Sequence, residues 1–204
     1  MPPAFSAEEK DRITRLLLET GSRLFPAKGL RKTSLDELVE PAGIAKSSFY
    51  AFFDSKEALY LELMLRQTAE VRQRVVDDGL LRGETTRDGL RRFLRAAVRE
   101  LATNPLYSRL MTHPEEMDAV RRRVDPARIA AADNPVTALA GFLTARRGAD
   151  LIDADVRVVI GVLQTVLFVP VHADWLGDDL QSPVLDLLID IVAAGLTSRK
   201  EDLA

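Results

Sequence analysis

Apolar residues recur every three to four positions along almost the whole chain, and no segment alternates apolar and polar with a period of two. That pattern restricts the chain to helices packed on helices, because a half-buried strand needs the two-residue period. Breakers cut it into helix-length pieces: Gly83, Asn104-Pro105, His113-Pro114, Asp125-Pro126, Asn134-Pro135, Gly148, Gly177 and Ser182-Pro183. A first helix starts at Ser6 with Glu9 completing a capping box, buries Ile13, Leu16, Leu17, Thr20, Gly21 and Leu24, and is stopped by Pro26 and Gly29. Thr33 or Ser34 caps a short second helix, Gly43 supplies a turn, and a short third helix covers about 45–52. Ser55 caps a long fourth helix over about 56–78; others follow at about 85–102, 114–123, 135–146, 153–172 and 182–198. The expected fold is all-α, with a three-helix unit over 1–55 leading into a larger helical bundle over 56–204.

Composition narrows the chemistry. Hydrophobic residues make up 47% of the 204 and aromatics only 6%, so aliphatic side chains build the core. With no cysteine, disulfides, thiolate metal sites and cysteine nucleophiles are excluded, and a reducing cytoplasm fits. Residues 1–10 hold no apolar run of the secretory kind. The stretch 156–173 is interrupted by Arg157, Gln164, Thr165 and Pro170, so no membrane span is expected there. Net charge is −3, but the acidity is concentrated in the last third, with 5 basic against 11 acidic residues over 133–204. Within 23–56, six basic residues face four acidic ones, a mild basic patch compatible with phosphate contact.

Thr33 to Leu59, TSLDELVEPAGIAKSSFYAFFDSKEAL, is a short helix, a turn at Ala42-Gly43-Ile44 and another short helix: a helix-turn-helix. Gly43 suits a turn needing a left-handed backbone, which glycine adopts without a Cβ penalty. Leu35, Leu38, Ile44, Phe49 and Phe53 hold the pair against the first helix. Lys46 and Tyr50, four residues apart, share the opposite face with Ser47 beside them. That face has groove-reading chemistry. Lys46 donates to guanine or phosphate, Ser47 and Ser48 bond several bases, and Tyr50 reaches phosphate through its hydroxyl. Spacing alone equally fits a plain helical hairpin with a polar outer face.

Gly29, Thr33, Ala42-Gly43-Ile44, Ser47-Ser48-Phe49-Tyr50, Phe53 and Ser55-Lys56-Glu57-x-Leu59 resemble the DNA-binding domain of the tetracycline-repressor (TetR) family over roughly residues 8–60. The resemblance implies a homodimeric transcriptional regulator, usually a repressor, whose larger C-terminal domain binds a small effector and dimerises. By position it implies base reading by Lys46, Ser47 and Ser48, and phosphate contacts by Thr33, Tyr50 and Lys56. It also implies a palindromic double-stranded operator. Three residues depart from the family pattern: Ala45 replaces a capping Ser or Thr, Phe52 a His, and Pro41 shortens the scaffold helix.

Val156–Val171 holds 11 Val, Leu, Ile or Phe among 16 positions, and the last helix is equally apolar. Two successive helices apolar all round point to a partner subunit, with Leu188 and Val192 in the dimer interface, the alternative being a purely internal hairpin. The resemblance points the same way, to a four-helix bundle across a two-fold axis. Met64, Phe93, Met111, Phe142, Gln164 and Phe168 are the expected lining of the effector cavity, Gln164 as its polar anchor. The arginine stripe Arg87, Arg91, Arg95, Arg99 and the cluster Arg121-Arg122-Arg123 read first as solvated faces paired with acids, and second as a contact for an anionic effector. His113 reads as a helix-start residue, and Trp175 as loop packing. His113 and His172 lack neighbours at metal-ligand spacing, so neither a metal nor a cofactor is expected. No nucleophile elbow or phosphate loop supports catalysis. The alternatives are a helical adaptor that uses its N-terminal unit for protein contacts and, less in keeping with the residues, an all-α enzyme.

Overall fold

The computed structural model describes residues 5–125, 127, 134–171 and 178–198. Among them every regular element is helical, apart from one isolated bridge between Arg147 and Leu151. The helices are α1 (Ala7–Lys32), α2 (Leu35–Val39), α3 (Lys56–Arg72), α4 (Thr86–Thr103), α5 (Pro105–Thr112), α6 (Pro114–Arg123), α7 (Pro135–Arg146), α8 (Val156–Val171) and α9 (Asp178–Thr197). Short 3-10 turns lie at Glu40–Ala42, Lys46–Ala51 and Leu80–Arg82, and a π turn at Gln73–Asp77 ends the α3 stretch. His172 and Trp175 lie outside the described residues.

The chain divides into two compact units: Met1–Gln67 with Pro105–Ala132, and Thr68–Asn104 with Asp133–Ala204. The single cut at 55/56 expected from sequence falls inside the first unit, which also takes in α5 and α6.

In the first unit, Ser6 and Glu9 form the expected capping box at the start of α1. Ile13, Leu17, Phe25 and Leu30 of α1 pack with Leu38, Phe49, Leu59, Tyr60, Leu106 and Val120 in one buried cluster. Gly21 lets α3 come close, since a Cβ there would sit 2.9 Å from Leu63 Cδ1. Pro26 does not end α1 as expected. The break comes at Gly29, whose φ of +82° only glycine adopts cheaply, and one further turn runs to Lys32. Ser34, rather than Thr33, caps α2, in a second capping box with Glu37. Ser55 caps α3 through Ala58 N–H. Asn104-Pro105 is not simply a break, because Pro105 opens α5, where its missing N–H costs nothing.

In the second unit, Thr85 caps α4 and Asn134 caps α7. Leu90, Phe93, Leu94 and Ala97 of α4 are buried, as are Val159, Leu163 and Val166 of α8 and Leu185, Ile189, Ala193 and Leu196 of α9. Two members of the α4 arginine stripe pair with α9 acids. Arg91 makes a two-pronged bond to Asp190 at 2.8 and 3.1 Å, and Arg95 reaches Asp186 at 3.3 Å. Arg87 donates to Thr197 Oγ1 at 3.0 Å instead. These contacts fix the roll of α9. They leave Leu180, Val184, Leu187 and Ile191 exposed along one stripe, with Val158, Val162 and Phe168 exposed on neighbouring α8. By length and composition alone, residues 180–197 of α9 are apolar enough to cross a membrane. Within that stretch Asp186 and Asp190, paired with α4, suit a helix docked on protein.

Candidate nucleic-acid interface

The helix-turn-helix is built from α2, the turn at Gly43 (φ +66°) and the 3-10 segment Lys46–Ala51. No side chain caps that segment: Ala45 occupies the N-cap position in extended geometry but has nothing to donate or accept. That missing bond accounts physically for the tighter, shorter winding where an α-helix over 45–52 was expected. Phe49 is fully buried and anchors the segment, edge-on to Tyr50 at 5.7 Å and tilted against Phe53 at 6.0 Å.

Opposite Phe49, the side chains of Lys46, Ser47 and Tyr50 are exposed, Tyr50 by 57%, and Ser48 is half-buried. Lys46 Nζ lies 2.8 Å from Asp36 Oδ2 of α2. Both groups are largely solvated, so the pair is weak and easily exchanged for a base or phosphate. Asp36 was not singled out from the sequence. It holds the lysine on the exposed face.

Thr33 and Lys56 sit differently. Thr33 is buried, and its hydroxyl donates to Gly29 O at 2.8 Å. Lys56 Nζ donates to Thr33 O at 2.8 Å. The two residues close the end of α1 and join it to the start of α3. The α2 amides are also partly occupied, since Glu37 N–H donates to Ser34 Oγ and the Glu37 carboxylate accepts Ser34 N–H. Lys28 pairs with Glu37. The Lys28 ammonium and the Ser34 donors hold the Glu37 carboxyl down at about 2, so it is ionised throughout the physiological range.

The largest omission of the sequence reading lies just behind the interface. Glu116 of α6 is buried and accepts Leu30 N–H at 3.0 Å, Tyr60 Oη at 2.8 Å and Arg109 at 2.7–3.1 Å. Burial pushes its carboxyl up, but the bonds from Arg109, Tyr60 and Leu30 outweigh that and hold it below the usual glutamate range. Burial, and then the bond to Glu116, push the Tyr60 hydroxyl well above the ordinary phenol range. A Cβ on Gly29 would run into both Arg109 and Glu116. The glycine is therefore needed twice, for its φ and for its space. One sequence signal was present: Glu116 stands one turn before Val120, on the apolar side of α6.

The expected effector residues are dispersed. Met64 belongs to the buried cluster of the first unit, and Met111 of that unit is exposed. In the second unit Phe93 is buried, and the half-buried Phe142 ring lies under the Arg146 guanidinium at 4.5 Å. Gln164 and Phe168 are on the exposed side of α8, so Gln164 has no buried amide to satisfy. Among the described residues no cluster of three or more His, Asp or Glu with metal-holding geometry occurs.

Residues 17–63 match the family described as "Bacterial regulatory proteins, tetR family". Over 50 residues the chain is 42% identical to the uncharacterized HTH-type transcriptional regulator YuxN of Bacillus subtilis, covering 24% of this chain and 17% of that protein. It is 36% identical over 63 residues to the HTH-type transcriptional repressor KstR2 of Rhodococcus jostii, covering 31% of each. The matched stretch thus spans less than a third of either relative. A solved TetR-family transcription regulator from Marinobacter aquaeolei superposes with a TM-score of 0.62 at 20% identity, over 95% of this chain and all of that one. Residues 17–63 are thus similar to the N-terminal segment of the tetR family, and the chain as a whole has the fold of the solved regulator on which it superposes.

Proposed function

We propose that this chain, with its TetR-type segment over 17–63, is a DNA-binding transcriptional regulator that acts as a homodimeric repressor released by a small ligand. The observation that carries the reading is the face formed by Lys46, Ser47 and Tyr50. It is exposed and polar, and a fully buried Phe49 and the Gly43 turn hold it rigid. A segment so anchored presents donors to a major groove at a fixed angle, which a plain solvated hairpin does not require. In this reading Lys46, Ser47 and Ser48 read bases and Tyr50 contacts phosphate, while the buried Thr33, expected from sequence to touch phosphate, instead joins Lys56 in bracing the α1 end that carries them. Two copies associate through the exposed apolar stripes of α8 and α9, with half-buried Leu188 and Val192 flanking the contact. The effector would occupy the second unit near Phe93 and Phe142. Such a regulator works in the cytoplasm, and its chemistry is recognition, with no catalytic step.

Substitution on the reading face tests this. Lys46→Ala lowers affinity for the preferred site and relaxes base discrimination by about 1–3 kcal/mol. Tyr50→Phe weakens all sequences about equally, because phosphate contacts carry no base information. Competition gel shifts with matched and scrambled duplexes read both effects. Unchanged binding in both variants would remove the face from the interface.

A further inference from the structure

A groove of about 550 Å³ runs along the first unit between the end of α1 and α6, away from the Lys46–Tyr50 face in sequence and in its lining. Its walls carry the cations Lys28, Arg31, Lys32, Arg109 and Arg122, against only Glu115 and Glu116. Two of the cations are committed, Lys28 to Glu37 and Arg109 to Glu116. Among the described residues Arg31, Lys32 and Arg122 have no acidic partner, and all three are exposed. Placement at helix C-termini explains why basic residues suit each position, since cations there complement the helix dipole. It does not explain why the ends of two helices aim unpaired cations into one recess.

We propose that this groove is a binding site for a small polyanion, a metabolite-sized molecule bearing two or more carboxylate or phosphate charges. The recess favours a small molecule over a nucleic-acid strand, because it is lined by the half-buried Arg109 paired with the buried Glu116, and its volume is that of a small-ligand pocket. Arg is suited to the role, since its planar fork bonds carboxylate and phosphate in pairs. Occupancy would be felt by the DNA-reading elements. An anion drawing on Arg109 competes with Glu116, and Glu116 also holds Leu30 N–H, beside the Gly29 break that leads into α2. A ligand acts on DNA affinity only through its different affinity for the two states. Here the state with Arg109 shared is the weaker DNA binder.

Only this coupling rests on the proposed DNA-binding function; the binding event is independent of it. Citrate and inorganic pyrophosphate are therefore titrated calorimetrically into the full chain at constant ionic strength, with chloride as the matched control, because general screening mimics weak anion binding. Saturable binding of either probe, weakened at least tenfold in Arg122→Ala and in Lys32→Ala, is the expected result. Both side chains are exposed, and melting curves confirm that the variants fold. The probe should also lower DNA affinity of the parent chain, while Arg122→Ala without probe binds DNA as the parent does. Absence of saturable binding, or binding that the two substitutions leave unchanged, overturns the site. If Arg122→Ala weakens DNA binding without probe and lowers the salt slope by about one, the groove is a phosphate contact of the DNA instead. If calorimetry shows the site but no duplex is bound, the site stands and the regulator reading falls.

Discussion

Glu116 shows how a single buried carboxylate can organise the approach to a recognition element. Its four donors come from α1, α3 and α5, so it ties three segments that are distant in sequence to the Gly29–Leu30 break. Removing it leaves the buried Tyr60 hydroxyl and the half-buried Arg109 guanidinium without their partner. Glu116→Ala should lower stability by about 3–5 kcal/mol, the usual cost of breaking a buried pair from one side. Glu116→Gln should cost less, since its amide oxygen still accepts Leu30 N–H. The pH dependence has a definite sign. The folded carboxyl titrates below its ordinary value of 4.5, so the unfolded chain binds the extra proton. The stability from ionised Glu116 is thus complete above about pH 5 and is lost as pH falls through the folded value. Urea melts at pH 7 and at descending acid pH should show the gap between the parent and Glu116→Gln closing. A gap that stays constant with pH would mean that charge is not what Glu116 contributes. Sequence reasoning did not find this residue because its partners lie between seven and 86 positions away. A lone Glu in a helix reads locally as surface.

At the scale of elements, local chemistry was legible and remote chemistry was not. The caps at Ser6 and Ser55 depend on residues within three positions, and they stand where the sequence puts them. Gly43 was readable for the same reason. Where the sequence misled or left two options open, a local competition was decided elsewhere. Pro26 is accommodated within α1, and the positive φ goes to Gly29, where α5 and α6 leave room for nothing larger. Ser34 wins the cap over Thr33, whose hydroxyl is already spent on Gly29 O. The Lys46–Ala51 segment winds as 3-10, and Ala45 offers it no capping oxygen. The N-cap backbone is nonetheless in place, at φ −69° and ψ 150°. Ala45→Ser should therefore stabilise the protein by about 0.5–2 kcal/mol, read as an upward shift in the urea midpoint at unchanged m. A midpoint that stays put or falls would show that the 3-10 winding has another cause.

For the whole molecule, the exposed apolar surface of the second unit is the outstanding feature. Leu187 is 62% exposed and Ile191 58%, one turn apart on α9, while Asp186 and Asp190 are taken up by α4 arginines. A sequence apolar nearly all round predicts that such a helix is covered on all sides. Which residues face outward needs the structure, and they are Leu187 and Ile191 rather than the half-buried Leu188 and Val192. Substituting Glu at both Leu187 and Ile191 leaves the fold of each chain intact, since neither side chain is in the core, but charges an interface that must be desolvated. Sedimentation should then report monomers where the parent chain is expected to give dimers, with DNA affinity falling accordingly. A dimer that survives both changes would place the contact on another surface. The division into units was only partly legible, because α5 and α6 return to the N-terminal unit through packing between residues far apart in sequence. The most direct test of the central claim is a hydroxyl-radical footprint on a bound duplex selected from random sequence. Two protected half-sites related by a two-fold axis, about 34–36 Å apart, are expected, with protection that fades as salt rises. A single unsymmetrical protected patch, or no selected sequence at all, would contradict it.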